Sequence, residues 1–522
     1  MKDFLRKHAG SIAGVLSGFD RLVLRGSIRQ LATAAGMMAY LNVARVRLKD
    51  FGAHVHAVSR SVKDAIEARV SELDRPIMYL ASSHERTEDT ARAIARRDNI
   101  QDGVVCLFRT LEAGPSFEVH RDRATKSIEL VSRPRRCLFL YLDQAHPRIG
   151  FMHVRLQSWF PFNLQVWING REWLARQMDH EGLGYRRAEN CFVWLEDAAY
   201  AQRLMDTQLR ENWPALLDGL LDAIFPVRRQ VFGPFVAPYD WSVYQSEWAT
   251  NVMFRNATLL SSLYRPLLHH GIASFSSGDV MRFLGRKVTL EGHVHAGFEG
   301  EVVTTLRRRP EGVRIKHCAG GNSVKLYDKQ GSVLRFETTI NQPKDIKVFR
   351  AKEGDPGGAK SWLKLRRGVA DLYRRAQVSQ AANDRDAHAL ASVEGANPLR
   401  DTLSRLSKPT TLNDRRVRGL RPWSATDLNL LRAVNRGELT LTGFRNRDLA
   451  RLLYPTRLRT FNDKRRRSSS ISRQLRMLRA HGLIKKIPHS DRYHVTNNGR
   501  GIISAILLAV DATPEQLARL AA

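Results

Sequence analysis

The spacing of apolar residues changes several times along the chain and predicts both helices and strands. Apolar positions recur every three or four residues over 31–46 and 59–73, which is typical of amphipathic helices. Short apolar runs at 76–83 and 102–111 are typical of strands, and the segment between them has helical spacing. This β-α-β succession predicts two parallel strands joined by a helix.

Two longer stretches alternate between apolar and polar positions and predict antiparallel sheets. The first extends over about 116–170 and contains FEVHRD and SIELVS on either side of the turn RATK. The second extends from His293 to about Arg350 and is divided by Gly-containing turns. Helical spacing over 170–183 and 196–225 indicates helices after the first sheet, and 259–271 indicates another before the second.

The region after the second sheet is predicted to connect the main body of the chain to a C-terminal module. Residues 352–360 form a linker rich in Gly and Pro, 362–380 are predicted as a basic helix, and the polar stretch to about 420 is predicted to be loosely ordered. The chain is therefore divided into five parts: 1–115 (mixed α/β), 116–239 (antiparallel sheet and helices), 240–350 (helical segment and second sheet), 351–421 (linker and basic helix) and 422–522 (C-terminal module).

The C-terminal module has the most specific pattern. Three helices are predicted over 424–437, 442–454 and 468–484, then a hairpin over 484–496 and a final helix from about 499. The words ISRQLRMLRAHGLI and DRYHVTNNGR make these last 100 or so residues resemble the winged helix-turn-helix domain of MarR-style bacterial regulators. A winged helix used for protein contacts or for RNA is the alternative interpretation.

The resemblance implies that the third helix enters the DNA major groove and that the hairpin lies beside the DNA backbone. The residues this places at DNA are Arg465, Arg466, Arg467, Ser468, Ser469, Ser470, Ser472, Arg473, Arg476, Lys485, Lys486, His489 and Arg492. Residues 462–500 hold 11 Lys and Arg against 2 Asp, which suits contact with phosphates. The basic run 464–467 could equally be a solvated loop.

Composition extends the same conclusion to the whole chain. The 84 Lys and Arg exceed the 52 Asp and Glu by 32, which indicates a polyanionic partner. Arginine holds phosphate oxygens in pairs and stacks on bases, so DNA is favoured, with RNA as the alternative, over a membrane surface. Four widely spaced cysteines and the lack of a long apolar run predict a cytoplasmic, nucleoid-associated protein.

One candidate for chemistry is a histidine pair on a predicted strand. His293 and His295 project from one face of such a strand, so both can hold one Mg²⁺ or Mn²⁺ ion. The His-hydrophobic-His motif resembles that of HUH single-strand endonucleases. This resemblance implies a tyrosine nucleophile, here Tyr327, and a transesterification reaction. Two surface histidines ahead of an ordinary sheet are the simpler interpretation.

A second candidate is acidic. Asp20 ends an early apolar run, and Asp328 and Glu337 flank a predicted turn, where carboxylates can hold the metal ions of a nuclease. The alternative makes Asp328 a turn residue and Glu337 a cross-strand partner of a basic side chain. The aromatic segments 155–167 and 240–248 are candidate base-stacking surfaces, or core.

The sequence therefore predicts an α+β multidomain protein with a mixed N-terminal α/β region, a second antiparallel sheet and a C-terminal winged helix. Words such as PYDWSVYQSEWAT resemble a widespread family of bacterial proteins, which implies no activity, and YDK with LRFE are similar to words in replication initiators of small phages and plasmids. A DNA-binding protein of mobile-element or replication type, with metal-dependent strand cleavage, is the preferred function. The alternatives are a non-enzymatic transcriptional regulator, for which a homodimer is compatible, and an RNA-binding ribonucleoprotein scaffold.

Overall fold

The structure is a computed structural model that contains both helices and strands throughout its length. The described residues are 1–81, 87–122, 127–286, 301–309, 312–352, 354–355, 357–391, 399–436, 439, 443–454, 460–488, 490–513 and 515–516. The strands are β1 (Ile12–Ser27), β2 (Ile77–Tyr79), β3 (Gly103–Gly114), β4 (Phe117–Arg121), β5 (Ile128–Ser132), β6 (Arg135–His146), β7 (Gly150–Gln157), β8 (Leu164–Asn169), β9 (Tyr185–Ala188), β10 (Cys191–Leu195), β11 (Asp240–Phe254), β12 (Val302–Arg309), β13 (Gly312–Ala319), β14 (Asn322–Lys329), β15 (Val333–Ile340), β16 (Lys347–Arg350), β17 (Ser361–Lys364), β18 (Thr410–Leu412), β19 (Arg415–Val417), β20 (Ile484–Lys486) and β21 (Tyr493–Val495).

Helices separate these strands along the whole chain, so the coarse prediction of an α+β protein is confirmed. The helices are α1 (Lys2–Lys7), α2 (Ala34–Val43), α3 (Phe51–Glu72), α4 (Thr87–Arg97), α5 (Gly170–Glu181), α6 (Ala198–Asp206), α7 (Trp213–Ile224), α8 (Arg228–Phe232), α9 (Ala257–Ala273), α10 (Ser277–Phe283), α11 (Leu372–Leu390), α12 (Leu399–Leu406), α13 (Ala425–Val434), α14 (Asn446–Leu453), α15 (Phe461–Ala480) and α16 (Asn497–Asp511). Within the described residues, no helix combines the length and the apolar character that crossing a membrane requires.

The chain forms two compact units. Unit 1 consists of 1–13, 252–337 and 381–522, and unit 2 consists of 14–251 and 338–380. In unit 2 the strands lie in the order β11-β1-β8-β7-β6-β3-β2. The pair β2 and β3 is parallel and is joined through α4, as the β-α-β pattern predicts, whereas β6, β7 and β8 form the predicted antiparallel meander.

The sheet of unit 2 packs against helices on both of its faces, because side chains alternate between the faces along each strand. On one face Val104 and Leu107 of β3 pack in a large core that also contains α3 and α7. On the other face Cys106 and Phe108 pack against α4. Helix α4 is short and covers one end of that face.

Unit 1 contains four neighbouring strands, in the order β12-β13-β14-β15, and the C-terminal module. The pairs β12–β13 and β13–β14 are antiparallel, as predicted for this region. In the C-terminal module the order is α13, α14, α15, the hairpin β20–β21, and α16, around one apolar core. Arg500 of α16 anchors this module to α10, because its guanidinium donates to Asp279 Oδ2 at 2.8 Å.

Two expectations about local structure are wrong. The predicted basic helix over 362–380 begins only at Leu372, because residues 361–364 form β17 and pair with β16. The stretch from 381 to about 420 is ordered where it is described: it completes α11 and forms α12 and the hairpin β18–β19. The stretch 196–225 is predominantly helical, as predicted, and contains α6 and α7, of which the second is capped by Asn212 and has Pro214 in its first turn.

Candidate functional site

Helix α15 presents a row of basic and hydroxyl side chains to solvent. Its buried residues Ile471, Leu475 and Leu478 recur every three or four positions and face the module core. The exposed residues of the helix lie on the remaining surface, and those that the sequence predicted at DNA are Arg465, Arg466, Ser468, Ser469, Ser472, Arg473 and Arg476. The amphipathic pattern of α15 therefore places most of the predicted residues on one accessible side.

The basic run before the predicted helix start is helical rather than looped. Helix α15 begins at Phe461, and its N-cap residue Thr460 accepts a hydrogen bond from the backbone N–H of Asp463 at 3.2 Å. Arg467 differs from its neighbours: it is half-buried and its guanidinium lies 4.7 Å from the centre of the Tyr454 ring. Arg465 and Arg466 are thus exposed, whereas Arg467 contacts the rest of the module.

The position of α15 is fixed by polar contacts with α14. Asn446 Nδ2 donates to the backbone oxygen of Ser468 and to Ser472 Oγ, each at 2.9 Å. Ser470 is half-buried on another side of the helix. The hydroxyl of Ser472 therefore has a partner within the protein and lies at the edge of the exposed surface.

The hairpin β20–β21 follows α15 and adds further positive charge. Lys485 and Lys486 are exposed, and Arg492 at the start of the returning strand is half-buried. Phe444 stacks on Tyr493 with ring centres 6.2 Å apart and holds the hairpin against the module. His489 lies outside the described residues.

An ion pair at the start of α13 holds Arg418 in a fixed position. Arg418 donates to both carboxylate oxygens of Asp427, at 2.7 and 2.6 Å. Burial alone would raise the pKa of Asp427, but the hydrogen bonds from Arg418 and from the backbone of Arg421 outweigh it and lower that pKa. Asp427 is therefore charged at neutral pH and orients Arg418.

Two of the three proposed catalytic residues, Tyr327 on β14 and Glu337 on β15, contact each other. Tyr327 on β14 donates to Glu337 Oε2 at 2.6 Å, and Lys325 Nζ lies 2.5 Å from the other oxygen of Glu337. Arg335 also contacts Tyr327, and all four side chains are buried. The cross-strand interpretation of Glu337 describes this network well, since Glu337 is paired with a basic side chain on the neighbouring strand.

The third proposed catalytic residue, Asp328, is not part of this network. Asp328 follows Tyr327 on the same strand, so its side chain projects to the opposite face. Burial raises the pKa of Asp328. His293 and His295 lie outside the described residues, so the proposed metal pair stays a prediction.

Unit 2 contains a cavity of about 410 Å³ over the part of the sheet that α4 leaves uncovered. The polar lining residues come from β1, α4, β7, β8 and the β9–β10 turn, and are Asp20, Arg21, Glu88, Arg92, His153, Asn169 and Asn190. Trp167 and Phe151 supply aromatic surface. The cavity therefore combines carboxylates, guanidinium groups and aromatic rings.

Asp20 lies at the floor of this cavity with a second carboxylate beside it. Asp20 Oδ1 accepts from Arg171 Nε at 3.2 Å and from Asn190 Nδ2 at 3.1 Å. An oxygen of Glu247 on β11 lies within 4.8 Å of an oxygen of Asp20, and both residues are buried. Carboxylates this close can share one divalent cation, although Glu247 also lies 3.6 Å from Arg21 Nε.

A neutral histidine lines the same cavity. Burial lowers the pKa of His153 to about 4, and its ring lies 4.4 Å from that of Trp167. Its Nδ1 is 3.9 Å from Asp143, whose own pKa is raised well above the ordinary value by burial and by Glu88. His153 is therefore uncharged at neutral pH, so one of its ring nitrogens can donate a hydrogen bond and the other can accept one.

Sequence reasoning identified Asp20 but missed Glu247, His153 and Asp143. The signal for Glu247 was present, since Glu247 directly precedes Trp248 in a segment rich in aromatic residues, where a buried carboxylate needs partners. The aromatic segments are mostly core: Trp159, Trp241 and Trp248 are buried. Trp167 at the end of the first segment is the aromatic residue that reaches a cavity.

Comparisons of the chain with models of protein families, with curated proteins and with solved structures find no match.

Proposed function

We propose that the protein binds duplex DNA through its C-terminal module, with α15 in the major groove and the hairpin β20–β21 beside the backbone. The order of three helices, a hairpin and a closing helix is that of a winged helix. An α-helix fits the width of the major groove, and arginine donates to paired acceptors on guanine or phosphate.

The observation that carries the proposal is the exposed side of α15. Arg465, Ser469, Ser472 and Arg476 recur at intervals of four, three and four residues and so share one stripe of the helix. Arg466 and Arg473 extend that stripe on one side. A surface of this kind neutralises phosphates and releases the counterions that surround DNA.

Binding by the full-length protein is measured by fluorescence anisotropy with mixed-sequence duplexes between 50 and about 300 mM salt. Each phosphate contact contributes about 0.9 to the slope of log affinity against log salt, so the double variant Arg465→Ala/Arg466→Ala is expected to reduce that slope by about 2. Arg473→Ala is expected to cost about 1–3 kcal/mol at the preferred sequence and to relax specificity.

The matched control removes the same charge from another helix of unit 1. Arg400 and Arg405 on α12 are both exposed, so Arg400→Ala/Arg405→Ala is expected to leave the slope unchanged. Equal effects of the two double variants would mean that DNA binding depends only on the net charge of the protein and not on the position of α15. Tight binding to single-stranded RNA but not to duplex DNA, or RNA that copurifies and is destroyed by ribonuclease, would instead support a ribonucleoprotein.

A second candidate function, metal-dependent cleavage of nucleic acid, is favoured by the cavity of unit 2. Asp20 and Glu247 supply carboxylate oxygens for Mg²⁺ or Mn²⁺, and a cation held there would polarise the scissile phosphate. Arg21 and Arg92 line the same cavity and would stabilise negative charge that develops on the phosphate oxygens. Water would attack phosphorus, and the P–O bond to one sugar would break.

Cleavage is tested with supercoiled plasmid and with labelled single strands in Mg²⁺ or Mn²⁺. Asp20→Asn and Glu247→Gln are each expected to lower the rate at least about 100-fold, because a neutral amide binds the cation weakly. Glu118→Gln is the matched control, since the Glu118 side chain is 42% exposed on β4 and pairs with Arg133.

Because Asp20 accepts a hydrogen bond from the buried Arg171, thermal unfolding is followed for each variant. Mn²⁺ is expected to raise the unfolding temperature of the unaltered protein but not of Asp20→Asn, since a bound ligand stabilises only the form that binds it. Cleavage by folded Asp20→Asn at the original rate would remove this candidate. Duplex binding without cleavage would leave a transcriptional regulator.

A further inference from the structure

We infer that the groove between the hairpin β18–β19 and helix α15 is a second nucleic-acid contact, which receives a phosphate group of the DNA backbone. This inference rests on the proposed DNA binding by the same module and adds to the proposed DNA surface the hairpin β18–β19, which lies outside the three helices and the hairpin β20–β21. Hairpin β18–β19 precedes α13, in a stretch where the sequence predicted little order.

The groove has a volume of about 400 Å³. Its polar lining side chains are Arg416, Arg418, Ser470, Arg473, Gln474 and Arg476. None of the described residues that line it is acidic. The groove therefore concentrates guanidinium groups on a space large enough for a phosphodiester.

The helical spacing of α15 places the groove next to the proposed major-groove surface. Ser470, Arg473, Gln474 and Met477 lie at i, i+3, i+4 and i+7, so they form one stripe facing the hairpin. The side that contacts α14 is different, since Asn446 bonds to Ser472. Arg473 thus lies where the stripe toward the hairpin meets the exposed stripe, and a DNA strand that follows α15 would pass the mouth of the groove.

The four arginine residues of the groove differ in whether a carboxylate offsets their charge. Arg418 is oriented by its two hydrogen bonds to Asp427, and that carboxylate offsets its charge. Arg416 lies on the exposed strand β19, and Arg473 and Arg476 lie on α15. These three guanidinium groups supply the positive charge that attracts a phosphate, and paired N–H donors suit its oxygens.

A second observation points to a ligand in the groove. Gln474 is only 9% exposed, and its Oε1 is buried without a hydrogen-bond partner among the described residues. A buried amide oxygen left unpaired costs about 1–3 kcal/mol, and a ligand that binds in the groove and pairs with this amide would remove that cost. The terminal torsion of glutamine is roughly two-fold, so a half turn would present Nε2 as a donor to a phosphate oxygen.

The experiment is the salt dependence of duplex binding by the full-length protein, with two neighbouring arginines compared. Arg416→Ala is expected to lower the slope by about 0.9, the value for one phosphate. Arg415→Ala removes the same charge from the preceding position of the strand, which is not among the described lining residues, and is expected to leave the slope unchanged. Equal slopes for the two variants would overturn the inference.

A second variant tests the chemistry of the ligand. Gln474→Glu keeps the shape of the side chain but adds a negative charge, which is expected to weaken duplex binding at least about 10-fold through repulsion of the phosphate. If Gln474→Glu binds as tightly as the unaltered protein or more tightly, the group in the groove is a donor such as a base amine and the phosphate assignment is wrong. Thermal unfolding confirms that each variant is folded.

The outcomes separate the two levels of the proposal. If the unaltered protein fails to bind duplex DNA, the proposed function fails and the groove inference fails with it. If it binds, and Arg465→Ala/Arg466→Ala lowers the slope while Arg416→Ala does not, DNA binding stands and only the groove is excluded.

Discussion

At the scale of single residues, the most unusual group is a buried carboxylate in unit 1. Asp386 on α11 is 1% exposed, and neither of its carboxylate oxygens has a hydrogen-bond partner among the described residues. Burial raises the pKa of Asp386 to about 7, and the N-terminal ammonium group of Met1 only partly opposes that shift. The folded chain therefore holds this acid neutral over a range in which the unfolded chain ionises it.

The sign of the pH dependence follows from that difference. Below about pH 4 the Asp386 carboxyl group is protonated in both the folded and the unfolded state, so it does not lower the free energy of unfolding. Between about pH 4 and 7 only the unfolded state releases the proton, so the free energy of unfolding falls as pH rises. Asp386→Asn is therefore expected to raise the free energy of unfolding by on the order of 2–4 kcal/mol at pH 8 and by clearly less at pH 5. Thermal unfolding of the full chain at both pH values measures the difference.

The control for this prediction is Asp401→Asn on the exposed face of α12, which is expected to change stability equally little at both pH values. A similar gain for Asp386→Asn at pH 5 and pH 8 would mean that the carboxyl group is not neutral in the folded protein. The burial of Asp386 could not be predicted, because this residue lies in the polar segment NDRDAH, where an acidic side chain is expected to face solvent. Only the packing of α11 shows which of its acids faces inward.

At the scale of elements, periodicity predicted the strands and helices whose apolar residues face one core. The β-α-β unit, the meander β6-β7-β8 and the order of elements in the C-terminal module all follow from such patterns. The start of α15 was placed seven residues too late, since KRRR has no apolar residue to reveal its period. Lys and Arg nevertheless have good helix propensity, and Thr460 caps the helix ahead of them.

Short elements that depend on a neighbour were missed for a related reason. Strand β17 contains only four residues, and its pairing with β16 across the Gly-rich linker, rather than its own pattern, makes it a strand. Hairpin β18–β19 pairs Thr410 with Val417 around Asn413 and Asp414, both of which have positive φ. Asn and Asp tolerate that conformation, so TLNDRR carried a turn signal that the surrounding polar residues concealed.

At the scale of the whole molecule, segment order along the chain did not predict which segments pack together. Strand β1 pairs with β8, some 140 residues further on, and each unit is assembled from separate parts of the chain. Local periodicity contains no information about such pairings, because a strand with an apolar face can pair with any other strand of the same pattern. The same limit applied to Asp20 and Glu247, whose proximity depends on β1 and β11 belonging to one sheet.

If unit 1 binds duplex DNA and unit 2 cleaves nucleic acid, as proposed, the two activities of the full-length protein are expected to respond to different substitutions. Arg465 belongs to unit 1, whereas Asp20 and its partners Arg171 and Asn190 belong to unit 2. Changes that remove different interactions and share no partner usually add within about 0.5 kcal/mol. Asp20→Asn is therefore expected to abolish cleavage and leave duplex affinity within about two-fold, while Arg465→Ala/Arg466→Ala weakens binding and preserves the cleavage rate at saturating DNA.

The combined triple variant distinguishes this division of labour from a single shared site. Its DNA affinity is expected to equal that of Arg465→Ala/Arg466→Ala, and its cleavage rate that of Asp20→Asn. If Asp20→Asn alone loses duplex affinity as strongly as the double variant, while remaining folded by thermal unfolding, DNA must contact the cavity of unit 2 in the ground state. Both units would then contribute arginine side chains to DNA binding, and α15 would supply only part of the contact.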